Sequence, residues 1–266
     1  MLFIVAIFLL SSTICANNDM NLYLDLMKKC LIGSIYQDAS CAWDNSNGIP
    51  YQAEIREQGL DWPHTAHTMI GLHRLNNLQF CVEDVLQNNI PGDLIETGVW
   101  RGGACIFMRA ILKAYDNTEK KVFVADSFEG MPIPNPKLYP ADQEFKNWAN
   151  YKMLSVPLPQ VQSNFARYEL LDQQVIFLKG WFHDTLPHAP IEKLAVMRLD
   201  GDFYESTMDA LMNLYPKLSM GGWVIIDDYT IPCCTQAVHD FRNKFNIIDE
   251  LCRTTDGLGA FWKRTK

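Results

Sequence analysis

Five near-continuous apolar runs, separated by segments of helical period, constrain this chain more than any other feature. They lie in "GDLIETGVW", "KKVFVADSFEG", "QVIFLKGWF", "KLAVMRLDGD" and "GGWVIIDDY", and "GAFWKR" is a last strand candidate. Runs without polar alternation read as strands buried on both faces. "GGACIFMRAILKAY", "VQSNFARYELL", "STMDALMNLYPKL" and "CTQAVHDFRNKF" read as the intervening helices. Residues 20–33 and 64–88 carry helical spacing ahead of the first strand, the second with Met69, Leu72, Leu75 and Leu78 on one face. Strand and helix in alternation predict an α/β fold with a parallel sheet covered on both sides. A polar, proline-rich stretch from Pro132 to Tyr151 interrupts the pattern.

Open parallel sheets bind ligands outside the carboxyl ends of their strands. Acids stand at those ends here: Glu96, Asp126, Asp200, Asp227 and Asp228. A buried, unpaired carboxylate is costly, so such acids need a cation, a ligand or solvent. If the fourth and fifth strands are neighbours, Asp200, Asp227 and Asp228 lie within about two strand spacings of one another. Oxygen donors at an open site favour Mg²⁺, Mn²⁺ or Ca²⁺ over zinc. The plainer reading has Asp228 capping the next loop and Asp200 in solvent. Asp202 and Glu205 add acids to the same loop, and Ser206 or Thr207 is a plausible N-cap for the helix that follows.

"ETGVWRGG" sets Gly98, Gly102 and Gly103 between a strand and a helix. Glycines there let the backbone approach a ligand, with helix N-terminal amides facing it. The spacing is neither G-x-G-x-x-G nor a lysine-bearing phosphate loop. Asp126 follows Gly98 by 28 residues and ends the second strand, where a nucleotide-binding sheet places its ribose acceptor.

A net charge of -8 argues against nucleic acid as the main partner. The opening "MLFIVAIFLLSSTICANN" looks like a secretory signal peptide or an N-terminal anchor over residues 1–16, although it lacks a basic start. A secretory or membrane-associated location follows if it is one, and a cytoplasmic location if it is not. Residues 17–54 read as a helical extension and 55–266 as the principal domain. Eight cysteines, seven without Cys15, do not form a disulfide framework; Cys30 and Cys41 could pair in an exported chain, and free thiols are the alternative. Cys105 reads as a buried small hydrophobe.

"DWPHTAHTMIGLHRLNNLQ", "GDLIETGVWRGGA", "VADSFEGMP", "LKGWFHDTLP", "MRLDGDFYESTMDALMNLYPKL" and "GGWVIIDDY", in that order, resemble the TylF/MycF family of macrocin and mycinamicin O-methyltransferases. The resemblance runs from about residue 55 to residue 263. It implies a Rossmann-like class I methyltransferase fold, a mostly parallel seven-stranded sheet with helices on both faces. It also implies S-adenosylmethionine as donor, Mg²⁺ as cation and a hydroxyl on a small-molecule sugar or glycosylated natural product as acceptor. Self-association is left open.

Carried over by motif, Thr68 and Met69 touch the cofactor, and Glu96, Thr97, Gly98, Val99 and Trp100 wrap its methionine end. Asp126 holds the ribose, and Ser127, Phe128, Glu129 and Gly130 line the adenosine side. Gly180 and Trp181 lie near the adenine. Asp200, Asp227 and Asp228 match the metal ligands. The lid "IPNPKLYPADQEFKNWANYKML" lacks the histidine that family members can place there. Asp202 is the preferred base, with His183 as runner-up. Trp148, Tyr139 and Tyr151 either stack on a substrate ring or pack the lid.

Three rivals remain. A Rossmann-type oxidoreductase suits Asp126 but leaves the clustered acids idle. A degenerate binding module would keep the fold and lose the chemistry. A catechol-type methyltransferase would use the same metal logic on an aromatic diol. Fold alone does not choose an acceptor.

Overall fold

The computed structural model describes residues 19–41 and 48–266. The expected signal segment lies outside them. Among the described residues no helix is long and apolar enough to cross a membrane.

Seven strands form one sheet: β3 (Asp93–Thr97), β4 (Val122–Asp126), β5 (Val175–Lys179), β6 (Leu194–Leu199), β7 (Leu218–Ile226), β8 (Cys252–Arg253) and β9 (Ala260–Lys263). A separate pair, β1 (Ser40–Cys41) and β2 (Trp62–Pro63), is antiparallel. The order in the large sheet is β5-β4-β3-β6-β7-β9-β8. The first five positions run parallel, and β9 and β8 close the edge antiparallel. Successive strands grow outward in opposite directions from the β3/β6 boundary, which is the switch point where such sheets open a crevice.

The period of two sends alternate residues to opposite faces. Leu94, Val122, Val124 and Val196 join one core with α1 (residues 19–31), α3 (Gly71–Gln87), α4 (Gly103–Ala114) and α5 (Leu158–Arg167). Ile95, Phe123, Met197 and Val224 face the other core, with α7 (Tyr204–Leu214), α8 (Pro232–Lys244) and the fully buried Trp262. Leu24, Met27, Leu31 and Ile32 of the first helix are buried among the residues of the first core.

Three expectations change. Residues 64–70 are not helical, and α3 begins at Gly71. The amides of Thr65 and Ala66 are taken by the Asp38 carboxylate (2.8 and 2.7 Å) and those of His67 and Thr68 by the Leu31 carbonyl, and Gly71, with a φ of +71°, separates this stretch from the helix. Neither Ser206 nor Thr207 caps α7, which starts two residues earlier at Tyr204; both lie buried inside it. Cys30 and Cys41 are free thiols, and Cys41 Sγ instead lies 3.1 Å from His64 Nδ1. The short helices α2 (Ala53–Gln58) and α6 (Phe182–Thr185), and the two-residue β8, carry too few residues to show a period.

Candidate active site

The sheet ladder runs one residue past the strands and thereby sets the acids side by side. The amide of Gly98 donates to Ala125, that of Asp200 to Thr97 and that of Asp227 to Leu199, at 2.8 to 2.9 Å. Above these ends lies a cavity of about 770 Å³, within the range of small-molecule sites.

At the β3–β4 edge the organiser is the Asp126 carboxylate. One oxygen accepts the Val99 amide and the other the Phe128 amide, both at 2.7 Å. Burial raises the Asp126 pKa, and the Phe128, Val99 and Trp100 amides counter it. The glycine loop is thus tied to the next strand through backbone donors. Gly98 has a φ of +85°, and a side chain there would overlap the Asp200 carbonyl. The close approach that this glycine permits is therefore to the chain itself, at the meeting of the loops after β3 and β6.

At the β6–β7 edge the organiser is a side chain that strand reading overlooked. Arg198 sits in β6 directly across from Glu96 in β3 and is 1% exposed. Its guanidinium pairs with Glu96 and Asp227 and lies 2.7 Å from Asp200 Oδ2. Arg74, from α3, grips the other oxygen of Asp227 and also pairs with Asp256 at 3.3 Å. The signal was available: an arginine inside "KLAVMRLD" has no room for solvent, so its partners had to be neighbouring acids.

Ligand atoms of Asp200, Asp227 and Asp228 lie within 4.8 Å of one another. Asp228 Oδ2 accepts the Asp202 amide at 3.0 Å. Burial, reinforced by the neighbouring acids, raises Asp200 and pushes Asp202 and Asp228 well above the usual carboxylate range. Burial also takes Glu96 up to about 7 against the pull of Arg198. Five carboxyl groups, Glu96, Asp200, Asp202, Asp227 and Asp228, thus crowd two guanidiniums, which pair with only Glu96, Asp200 and Asp227 among them. An all-oxygen, electron-rich donor set fits a hard divalent cation. Trp100, Phe128 and Asp202 hold positive φ of 48°, 57° and 58°, a conformation that non-glycine residues adopt mainly where surrounding structure enforces it.

The cavity gathers Thr68, Met69, Glu96, Gly98, Val99, Trp100, Asp126, Ser127, Gly130 and Trp181 with Asp200, Asp202, Asp227, Asp228 and His183. Thr97, Phe128, Glu129 and Gly180 are not on its wall. Thr97 and Phe128 are buried, and Glu129 projects outward toward Lys179 at 3.8 Å. The exposed His183 pairs with Asp184 at 3.3 Å and lies close to Glu205 and Asp209, which also line the cavity.

The stretch from Pro132 to Tyr151 folds over the opening as short 3-10 turns, Pro140–Phe145 and Trp148–Asn150, followed by Lys152–Leu154. Trp148 and Tyr151 reach the cavity, whereas Tyr139 packs on Tyr204 with ring centroids 6.1 Å apart. Trp100 Nε1 donates to the Met153 carbonyl at 2.9 Å, joining lid to glycine loop.

The sequence matches the family described as Macrocin-O-methyltransferase (TylF) over residues 20–264. It is 56% identical to the 8-demethyl-8-(2,3-dimethoxy-alpha-L-rhamnosyl)-tetracenomycin-C 4'-O-methyltransferase of Streptomyces olivaceus, over 92% of this chain and 93% of that one. It is 51% identical to the mycinamicin III 3''-O-methyltransferase of Micromonospora griseorubida, over 94% and 98%. Among solved structures, the O-methyltransferase NovP superposes with a TM-score of 0.88 at 53% identity, over 93% of this chain and all of that one. A class I methyltransferase sheet, a cavity at its switch point and relatives matched along nearly their whole length lead to one assignment: the chain belongs to the macrocin O-methyltransferase (TylF) family and is an O-methyltransferase.

Proposed function

We propose that the chain moves a methyl group from S-adenosylmethionine to a sugar hydroxyl of a glycosylated small molecule and requires Mg²⁺. The observation that carries the reading is the surplus of carboxylate at the β6 and β7 ends, in the same cavity as the Asp126-tied glycine loop. The rhamnosyl group in the name of the tetracenomycin relative favours a deoxysugar acceptor. Trp148 and Tyr151 in the wall make an aromatic diol the second reading.

Asp126 would accept the ribose hydroxyls, with Thr68, Met69, Glu96, Gly98, Val99 and Trp100 around the methionine end and Ser127, Gly130 and Trp181 toward the adenosine. Asp200, Asp227 and Asp228 would hold the cation. When bound, the donor supplies an electrophilic methyl on sulfur and the cation favours the deprotonated form of the acceptor hydroxyl. Asp202 takes the hydroxyl proton; its raised pKa suits a base, and the Asp228 contact to its amide fixes its position. His183 at the rim is the alternative acceptor for that proton. Residues 55–266 would carry this chemistry, with residues 17–54 as a supporting extension. The lid closes over Asp202 and limits water.

Asp200→Asn tests the reading. Calorimetry should show adenosylmethionine affinity within about twofold of the unsubstituted chain, whereas Mg²⁺-dependent turnover should fall at least about a hundredfold. Full activity of the unsubstituted chain in excess chelator would remove the cation from the reaction.

A further inference from the structure

The N-terminus of α7 has no cap of its own. The residue in the cap position is Phe203, whose side chain cannot accept a hydrogen bond. Four backbone amides at a helix start need partners from elsewhere. Two of them find the same partner in the lid. Asp142 Oδ1 accepts the Tyr204 amide at 2.7 Å, and Oδ2 accepts the Glu205 amide at 3.1 Å. Asp142 is 62 residues away in sequence and fully buried. A carboxylate in this position also faces the positive end of the helix dipole.

Three ring contacts fasten the same lid stretch to Phe203 and Tyr204. Tyr139 packs on Tyr204, while Phe145 and Trp148 pack on Phe203 with centroids 6.5 and 6.3 Å apart. Cys233, in the first turn of α8, bridges from below: its thiol lies 3.5 Å from the Asp202 carbonyl and also meets the Asp142 carboxylate. The loop Asp200-Gly201-Asp202 is therefore held between Arg198 on its strand side and Asp142 on its helix side.

From this geometry we infer that Asp142 is a positioning residue: by capping α7 from the lid, it fixes the loop that carries Asp200 and Asp202 only when the lid is closed. The lid then does more than cover the cavity. Its closure completes the helix start next to the reacting groups, and its opening leaves the Tyr204 and Glu205 amides unpaired and the loop loose. The inference rests on the assignment of Asp200 and Asp202 proposed above, but the contact itself does not.

Hydrogen exchange on the full chain tests it. The unsubstituted chain, Asp142→Ala, Asp142→Asn and the exposed control Glu144→Ala are compared with adenosylmethionine and Mg²⁺ present. Asp142→Ala should speed exchange across residues 200–209 by about tenfold, the usual worth of a helix cap. Asp142→Asn, which keeps one acceptor oxygen, should fall between, and Glu144→Ala should match the unsubstituted chain. Exchange over residues 93–99 should not change.

Methyl transfer to nitrophenyl α-L-rhamnoside supplies the second readout: kcat falls with the loosened loop while KM for adenosylmethionine holds. Equal exchange over 200–209 in Asp142→Ala and the unsubstituted chain overturns the inference. A uniform rise across the whole chain does so too, because Asp142 would then be a general stability residue. If the unsubstituted chain fails to bind adenosylmethionine, the proposed function falls, and the exchange comparison still decides the role of Asp142.

Discussion

The two edges of the cavity are organised by different forces. At the β3–β4 edge, backbone amides converge on one carboxylate, Asp126, and the glycine loop is held by hydrogen bonds of neutral donors. At the β6–β7 edge, acids converge on two arginines, and position is held by charge. The first arrangement is a frame whose shape is set by the directions of its backbone donors. The second balances repulsion against attraction, and it shifts when a proton or a cation arrives. A rigid frame suits a donor molecule that must enter in one pose, and an adjustable charge cluster suits a site where a proton leaves during each turnover.

The contrast can be broken most severely at Arg198. Arg198→Met removes the partner of Glu96 and Asp227 and strands buried charge, so stability should drop by about 3 to 5 kcal/mol in chemical denaturation. A loss under about 1 kcal/mol would mean that the acids protonate at little cost, and that charge does not hold this edge.

Asp126→Ala should act more mildly and more locally. It leaves the Val99 and Phe128 amides without an acceptor, and the loss should be about 1 to 3 kcal/mol, read as weaker adenosylmethionine binding by calorimetry. Unchanged affinity would take Asp126 out of the binding frame.

The smallest effect is a slope. Glu96 ionises at 4.5 in an unstructured chain and at about 7 here, chiefly through burial. Between those values the unfolded chain has released its proton and the folded chain retains it. Stability therefore falls as pH rises through that window, by at most about 1.4 kcal/mol per pH unit from this group. Urea midpoints should show that slope, and Glu96→Gln should flatten it. An identical slope in both proteins would place the titration on other acids.

Much of this architecture was legible before any coordinates. Apolar runs without alternation gave the parallel strands, and acids at their ends gave the edge that matters, because burial leaves a carboxylate few reasons to be there. Other features depend on tertiary contacts that no local pattern encodes. Arg74 reaches Asp227 from a helix 153 residues earlier, and the α7 cap comes from a lid whose sequence reads only as polar and proline-rich. Motif carry-over and the cavity wall differ at one strand position. Thr97 sits in a consecutive stretch with Glu96 and Gly98, yet it is buried and absent from the cavity wall, since a strand turns every second side chain away.

The contact between Gly98 and the Asp200 carbonyl has a consequence for redesign. It fuses the donor edge and the acid edge into a single part with no tolerance for an added methyl group, so neither loop can drift independently through substitution. Diversity in what is methylated must come from pieces that meet this part without threading it. The lid offers such freedom: Ile133 and Leu138 are 84% and 69% exposed. Libraries aimed at new acceptors belong there, with Gly98 held fixed.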